Sequence, residues 1–488
     1  MKLPNLFPLY WSLNRVLTLA GLLAGLLAAP AARAQQPREL PQLPQLLTLP
    51  QALQVAQTNY PALRAKQAAV RAAQADVLTN RSAFLPQVSA QLQAVNSTMN
   101  QVRGAFIGGV AIPISGGIKT TPYDGRTNFS SLGALVIEWP AVTFGRYRAD
   151  EQRSEAAVSA AQADYDQAVF EYQTQVADAF LLALGAEKSV TLQRANLARA
   201  QALSTVIHAG TRSGIRAGID SATANAEVAR ARLQVLAARQ QAREQRTRLT
   251  GLLGQPTQDI QLDSMQFYSH LPQTATGPPA GDTARTNNPL LRAYSRRITA
   301  GEAQVKLLTA NKRPQLNLLA STWGRGSGVA DATNDRGDFT INSSPGAGLP
   351  FKAYDYMLGA TLTWRATELI HSGRAAQAQR IRVEQARADY DQQTLQLATQ
   401  QQNAALQVEL ARQTAFEAPA QLAAARQVYF QARARYDAGL DNLLVLTQAI
   451  TVLNRAETDQ ALATNNLWRA VLLQGAAGGN LGGLLGQL

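Results

Sequence analysis

The chain has 488 residues, a formal charge of +13 and no cysteine. That length allows two or three domains with a sizeable core, and the missing thiols exclude disulfides, thiolate metal sites, thiol nucleophiles and a lipidated N-terminal cysteine. The basic residues are spread along Ala/Gln/Glu-rich stretches rather than clustered among aromatics, which favours solvated helix faces over nucleic-acid binding. His208, His270 and His371 have no ligand-spaced neighbours in sequence, so neither a metal nor another cofactor is expected.

At the N-terminus, Lys2 and Arg15 precede the apolar run Val16–Ala29, and Ala32-Arg33-Ala34 offers a small-residue cleavage site. These are the three parts of a secretory signal peptide over 1–34. A retained anchor is the alternative, for which the run is short. No later stretch is apolar over the roughly 18 residues that a spanning helix needs. An exported chain is therefore expected, of charge +10 once 1–34 is removed.

The next element is a helix over 48–80, closed by Pro86, which cannot continue it. A strand follows, in which Val88, Ala90 and Leu92 alternate with Gln87, Ser89, Gln91 and Gln93. A Gly/Asn/Thr/Pro-rich loop over 96–128 leads to a second strand. From Val158 the apolar positions Ala161, Tyr165, Val169, Tyr172, Val176, Phe180 and Ala183 recur at the 3.5–3.6 spacing of a coiled-coil-like seam. Residues 146–209 hold no proline and only Gly185, so one helix of about 95 Å is predicted. The turn AGTRSGIRAG joins it to a returning helix over 219–252, and a linker over 256–284 follows. The same order then recurs: a helix over 286–312 closed by Pro314, a strand, a loop over 324–353 containing GRGSG, and a second strand. In that strand Tyr356, Leu358, Ala360, Leu362 and Trp364 alternate with Met357, Gly359, Thr361, Thr363 and Arg365. A tilted membrane strand and a half-buried soluble strand both show this period. A long helix, the turn YDAGLD, a return helix over 441–475 and a Gly-rich, flexible tail over 476–488 complete the chain.

The recurrence is a duplication. The pentapeptide ADYDQ stands at 163–167 and again at 388–392, and the same offset of 225 carries Trp139 onto Trp364 and Gly214 onto Gly439. Residues 61–87 align without a gap on 289–315 at an offset of 228, with Pro61, Leu63, Arg64, Ala65, Ala72, Ala75, Val77, Pro86 and Gln87 identical. One order of landmarks held over 200 residues defines two repeats, 35–255 and 285–475. ADYDQ then marks one point of a duplicated helix, with its tyrosine in a seam and its aspartates solvated.

Two strands per repeat make four per chain. Four strands cannot close a barrel in lipid, because open edges leave backbone groups unsatisfied, so a membrane barrel requires several chains. At this point the sequence resembles the TolC-like outer membrane efflux proteins, through PALRA…AFLPQ and PLLRA…KRPQ, FGRYRADEQ and SGRAAQAQ, and RYDAGLDNLLVL. The resemblance covers almost the whole mature chain. It implies an α+β membrane channel in a homotrimer, with four transmembrane strands per chain in a shared twelve-stranded barrel and long coiled-coil helices in an α-helical tunnel. It also implies residence in the Gram-negative outer membrane, extension into the periplasm, partnership with a periplasmic adaptor and an inner-membrane pump, and no enzymatic activity. Two departures stand out. The Gly-Arg pairs 145–146 and 373–374 are offset by 228 rather than 225, and the lipid-bearing cysteine of many relatives is absent.

In such proteins charged and aromatic residues close the periplasmic end just after a turn glycine. The positions fall here on Gly214 with Asp220, and on Gly439 with Tyr436 and Asp441, while Arg216 stands four residues before Asp220 and shares its face if the helix already runs there. The family's cation two residues after the second glycine is replaced by Asp441, which leads to the expectation of a ring closed by Arg216–Asp441 contacts and Tyr436 hydrogen bonds. Helix caps at Asp220 and Asp441-Asn442, and a seam role for Tyr436, are the plainer readings of the same residues. The competing function is a secreted structural or adhesive coiled-coil protein, which accounts for the helices but not for paired strands at matching places in both repeats.

Overall fold

The computed structural model describes residues 46–98, 127–214, 217–255, 260–273, 288–333, 335 and 339–487, all within one compact unit, Gln45–Leu488. The expected signal peptide lies outside the described residues. The first repeat begins with β1 (Leu46–Leu47), α1 (Leu49–Asn59) and α2 (Pro61–Ser82). The single helix expected over 48–80 is thus two, because Pro61 has no amide to donate and holds Tyr60 extended at ψ 122°. Tyr60 stacks on Tyr172 at 3.8 Å, and the Tyr172 hydroxyl donates to the Leu252 carbonyl. Burial, then the neighbouring Tyr60, holds that phenol far above its ordinary pKa of 10.0.

Next come β2 (Gln87–Thr98), β3 (Thr127–Val142), α3 (Arg146–Arg212) and α4 (Gly218–Leu252). The 67 residues of α3 span about 100 Å. Of the residues between the repeats, the described stretch 260–273 is built into the fold. Here β4 (Gln261–Leu262) pairs in parallel with β1, and α5 (Met265–Ser269) places Phe267 against Phe180 and Trp468, whose indole N–H donates to the Phe267 carbonyl at 2.9 Å.

The second repeat contains α6 (Pro289–Ala310), β5 (Gln315–Ser327), the small hairpin β6 (Val329–Thr333) and β7 (Phe339–Ile341), α7 (Pro345–Gly348) and β8 (Ala353–Thr363). It ends with α8 (Ala366–Asp437), α9 (Leu443–Gly478) and α10 (Gly482–Leu485). Residues 324–327 of GRGSG continue β5 instead of opening a loop, because Gly324 pairs with Gly133 across the sheet and the Phe351 ring lies over both. The tail expected to be flexible is packed: Leu481 and Leu484 are buried, and Gln487 exchanges hydrogen bonds with Gln273 at 2.8 and 3.0 Å.

Burial repeats with the sequence. At an offset of 225, Tyr172 and Leu397, Ala179 and Ala404, Ala183 and Val408, Ala200 and Ala425, and Ile207 and Ala432 are buried in both long helices. Hydrogen bonding repeats too. Trp139 donates its indole N–H to the Phe84 carbonyl and Trp364 donates to Lys312, each at 3.2 Å. Each bond ties the end of a strand pair to the loop that closes the preceding helix.

The four long strands form one antiparallel sheet in the order β2-β3-β5-β8. Its register places Val88 beside Ile137, Ile137 beside Ala320 and Ala320 beside Leu358, which collects the apolar alternates of all four strands on one face. The charged residues of these strands, Glu138, Arg325 and Asp355, are all on the other face, where Arg325 pairs with Asp355 at 3.1 Å. The apolar face is bare: Leu92 is 81 % exposed and Leu358 75 %.

The helices follow the order of the strands. Near the sheet they pack as α2-α3-α6-α8, and farther away as α4-α3-α9-α8. Ion pairs cross the row at Arg81–Glu151 (2.9 Å), Arg387–Glu302 (2.6 Å), Arg246–Glu187 (2.6 Å) and Arg199–Glu457 (2.7 Å). The first ADYDQ copy departs from expectation here. Asp164 and Asp166 are not simply solvated but meet Arg297 and Arg292 of α6 at 2.9 and 2.6 Å.

Candidate functional site

The two helix turns meet at the end of the molecule farthest along the helices from the sheet. Ile207 of α3, Ala224 of α4, Ala432 and Tyr436 of α8, and Leu443, Leu446 and Ala449 of α9 form one buried cluster. One core therefore serves both hairpins, so a displacement of either turn is felt by the other.

Each turn reverses through a left-handed glycine, Gly214 at φ 77° and Gly439 at φ 76°. A Cβ on either would meet nothing within 4 Å, so backbone conformation alone calls for glycine. In the second turn the Leu440 amide donates to Arg435 at 2.9 Å and the Gly439 amide to Tyr436 at 3.1 Å, closing the end of α8. Asn442 then caps α9 by accepting from the Val445 amide at 3.1 Å. The cap falls on Asn442, which leaves the Asp441 carboxylate for Arg435: Nε to Oδ2 is 2.6 Å and Nη2 to Oδ1 is 3.3 Å. That two-point hydrogen bond, and then the guanidinium charge, hold the Asp441 carboxyl below its ordinary value.

The predicted residues thus occupy three situations. Tyr436 is 1 % exposed within the shared core, the seam position. Asp441 pairs with Arg435, six residues earlier, which the turn brings back. Arg216 lies outside the described residues. Asp220 is the third residue of α4, half-buried, with Ala217 as the N-cap, so it does not cap the helix. No ion pair reaches it among the described residues, and the helix N-terminus favours its charge. Sequence reasoning missed Arg435; the signal was an arginine and an aspartate flanking YDAGL.

It also missed a contact that ties α3 to α4. His208 Nδ1 lies 2.8 Å from Ser221 Oγ, and Nε2 lies 3.0 Å from Asn225 Oδ1. An amide oxygen only accepts, so Nε2 carries the proton and Nδ1 accepts from Ser221. Among the described residues at these turns, Ile219, Leu440 and Leu444 stand outside the core, each at least 60 % exposed. The geometry is that of a tip with acidic groups, one arginine clamp and an apolar rim.

A family model described as outer membrane efflux protein matches residues 52–255 and 280–479, one stretch per repeat. Among curated relatives, the pyoverdine export outer membrane protein OpmQ of Pseudomonas putida is 26 % identical over 296 residues, 60 % of each chain. Its counterpart from Pseudomonas aeruginosa is 27 % identical over 282 residues, 57 % of this chain and 56 % of that protein. The match thus spans well under two thirds of either relative's length. Among solved structures, the outer-membrane channel OprN shares the fold with a TM-score of 0.68 at 23 % identity, over 93 % of this chain and 96 % of that one. With both repeats matched in order, the chain belongs to the outer membrane efflux protein family.

Proposed function

We propose that this protein is the exit duct of a tripartite efflux or secretion system in the outer membrane. Three copies would share a twelve-stranded barrel and a helical tunnel. The single observation that carries the reading is the four-stranded sheet. With four alternating strands, β2 and β8 run in opposite directions and each leaves an open edge. Copies rotated about an axis along the strands therefore join β8 to the next β2 antiparallel, as every other pair is joined. Closure satisfies the edges, turns the uncharged apolar face to lipid and puts Glu138, Arg325 and Asp355 on the lumen side. A secreted coiled-coil protein has no use for a bare apolar face ending in hydrogen-bonded tryptophans.

At the opposite end, Asp220 and Asp441, with Arg216 and Arg435 as their cations, form the constriction. Tyr436 supports it from within the shared core. The exposed Ile219, Leu440 and Leu444 suit an adaptor that bridges to an inner-membrane pump. The test joins fractionation to conductance. The protein should be recovered from outer membranes as a heat-modifiable trimer and should conduct in planar bilayers. Recovery as a soluble monomer would end the channel reading. Unchanged single-channel conductance in Arg216→Ala and Asp220→Ala would remove these residues from the constriction while leaving the channel.

A further inference from the structure

Resting on the cyclic trimer just proposed, the internal duplication identifies a salt bridge between copies. Within the chain, α6 of the second repeat packs on α3 of the first, with Arg292 on Asp166 at 2.6 Å. The equivalent junction pairs α2 with α8, which lie at opposite edges of the helix row and so meet only across a boundary between copies. The offsets carry Arg292 onto Arg64 and Asp166 onto Asp391, and both residue types are retained.

Exposure supports the same assignment. Ala303 and Ala310 lie 11 and 18 residues beyond Arg292, about three and five turns, and therefore share its face of α6. Both are buried, at 7 % and 4 %. Their counterparts beyond Arg64 on α2, Ala75 and Ser82, are exposed. The opposite face of α2 is already used, since Asn80, 16 residues beyond Arg64, donates to Ser154 of α3 at 2.7 Å. On α8 the pattern is mirrored: Leu395 is 71 % exposed, whereas the equivalent Phe170 of α3 is half-buried. Arg64 and Asp391 are themselves exposed and have no ion pair among the described residues.

We infer that Arg64 of one copy binds Asp391 of the next, reproducing between chains the Arg292–Asp166 contact within each chain. The occupant of this α2 face is then a second copy of the same protein, in one register.

The chain's lack of cysteine permits a direct test. The double variant Arg64→Cys/Asp391→Cys, in membranes and treated with a short bismaleimide, is expected to give covalent dimers and trimers, whereas each single variant stays monomeric. Arg292→Cys/Asp166→Cys, the control, is expected to crosslink within one chain. A double variant that remains monomeric while the control reacts and native mass spectrometry shows a trimer would overturn the assignment but not the trimer. A monomer by native mass would overturn both. Charge exchange gives a second measure: Arg64→Asp or Asp391→Arg should lower the temperature at which the trimer dissociates, and the combined exchange should recover most of the loss. Additive losses in the exchange would again count against the pair.

Discussion

Ala320 and Ser321 are adjacent, similar in size and near the middle of β5, yet they face opposite sides of the sheet. Substituting each with arginine separates the two faces with little else changed. The 13 residues of β5 extend about 43 Å at about 3.3 Å each, or about 33 Å along a barrel axis at a tilt near 40°. Ser321 is the seventh residue, so both side chains lie close to the midplane. Ala320→Arg puts a guanidinium among Ile137 and Leu358 on the apolar face, where arginine at mid-bilayer costs about 2–4 kcal/mol. That corresponds to about thirtyfold to several hundredfold in the folding equilibrium. Ser321→Arg points to the face that carries Arg325 and Asp355 and should cost less than about 1 kcal/mol. Urea titration of folding into liposomes measures both, read as the midpoint shift against the parent protein. Equal shifts, or a larger one for Ser321→Arg, would refute the assignment of faces and with it the lipid-facing sheet.

Two further outcomes follow from the helices. Gly185 of α3 lies against Asn465 of α9, where a Cβ would come within 2.7 Å of the side-chain nitrogen, so Gly185→Val should cost about 1–3 kcal/mol through overpacking; thermal melts would show the loss, and an unchanged midpoint would refute that close approach. At the second turn, the Asp441 carboxyl is held below its ordinary 3.8, so the Arg435 contact stabilises the folded state fully above that value and ceases to do so as pH falls through the lower folded value. Asp441→Asn should therefore lower the melting midpoint at pH 7, with a deficit that shrinks as the pH falls below 3.8, and a deficit that does not change with pH would show that the clamp does not act through ionisation.

Much of the fold was legible because duplication doubled each weak signal. Period-two alternation alone does not separate a membrane strand from a soluble one, but its recurrence beside Trp139 and Trp364 does separate structure from chance. The long helices were equally plain, since 146–209 has nothing to stop a helix. What escaped notice depended on contacts between distant residues. Pro61 lies within a helix-compatible pattern, and only the extended Tyr60 stacked on Tyr172 reveals the break. The aspartates of ADYDQ carry no local mark of pairing, because their partners Arg297 and Arg292 are more than 120 residues away. At the turn, positional matching found Asp441 but not Arg435, because a left-handed glycine brings together residues that a helical count keeps apart.

Where the copies have diverged is as informative as where they agree. Far from the sheet, α3 and α9 are joined by Arg199–Glu457 at 2.7 Å and Asp178–Arg469 at 2.8 Å, both partly buried. The equivalent junction in the proposed trimer sets α8 of one copy against α4 of the next. There the offset of 225 leaves Ala424 opposite Arg232 and Asn403 opposite Glu244, and neither combination is an ion pair. Near the sheet, by contrast, Arg64 and Asp391 retain the charges of their counterparts. That retention is confined to the one pair, since Ala69 stands where Arg297 does and gives Asp389 no counterpart of the Asp164 contact. Partly buried pairs resist separation more strongly than exposed polar contacts. In the proposed trimer the boundary between copies toward the turns therefore lacks the counterparts of Arg199–Glu457 and Asp178–Arg469, whereas within one protomer the two turns are joined through the core around Tyr436.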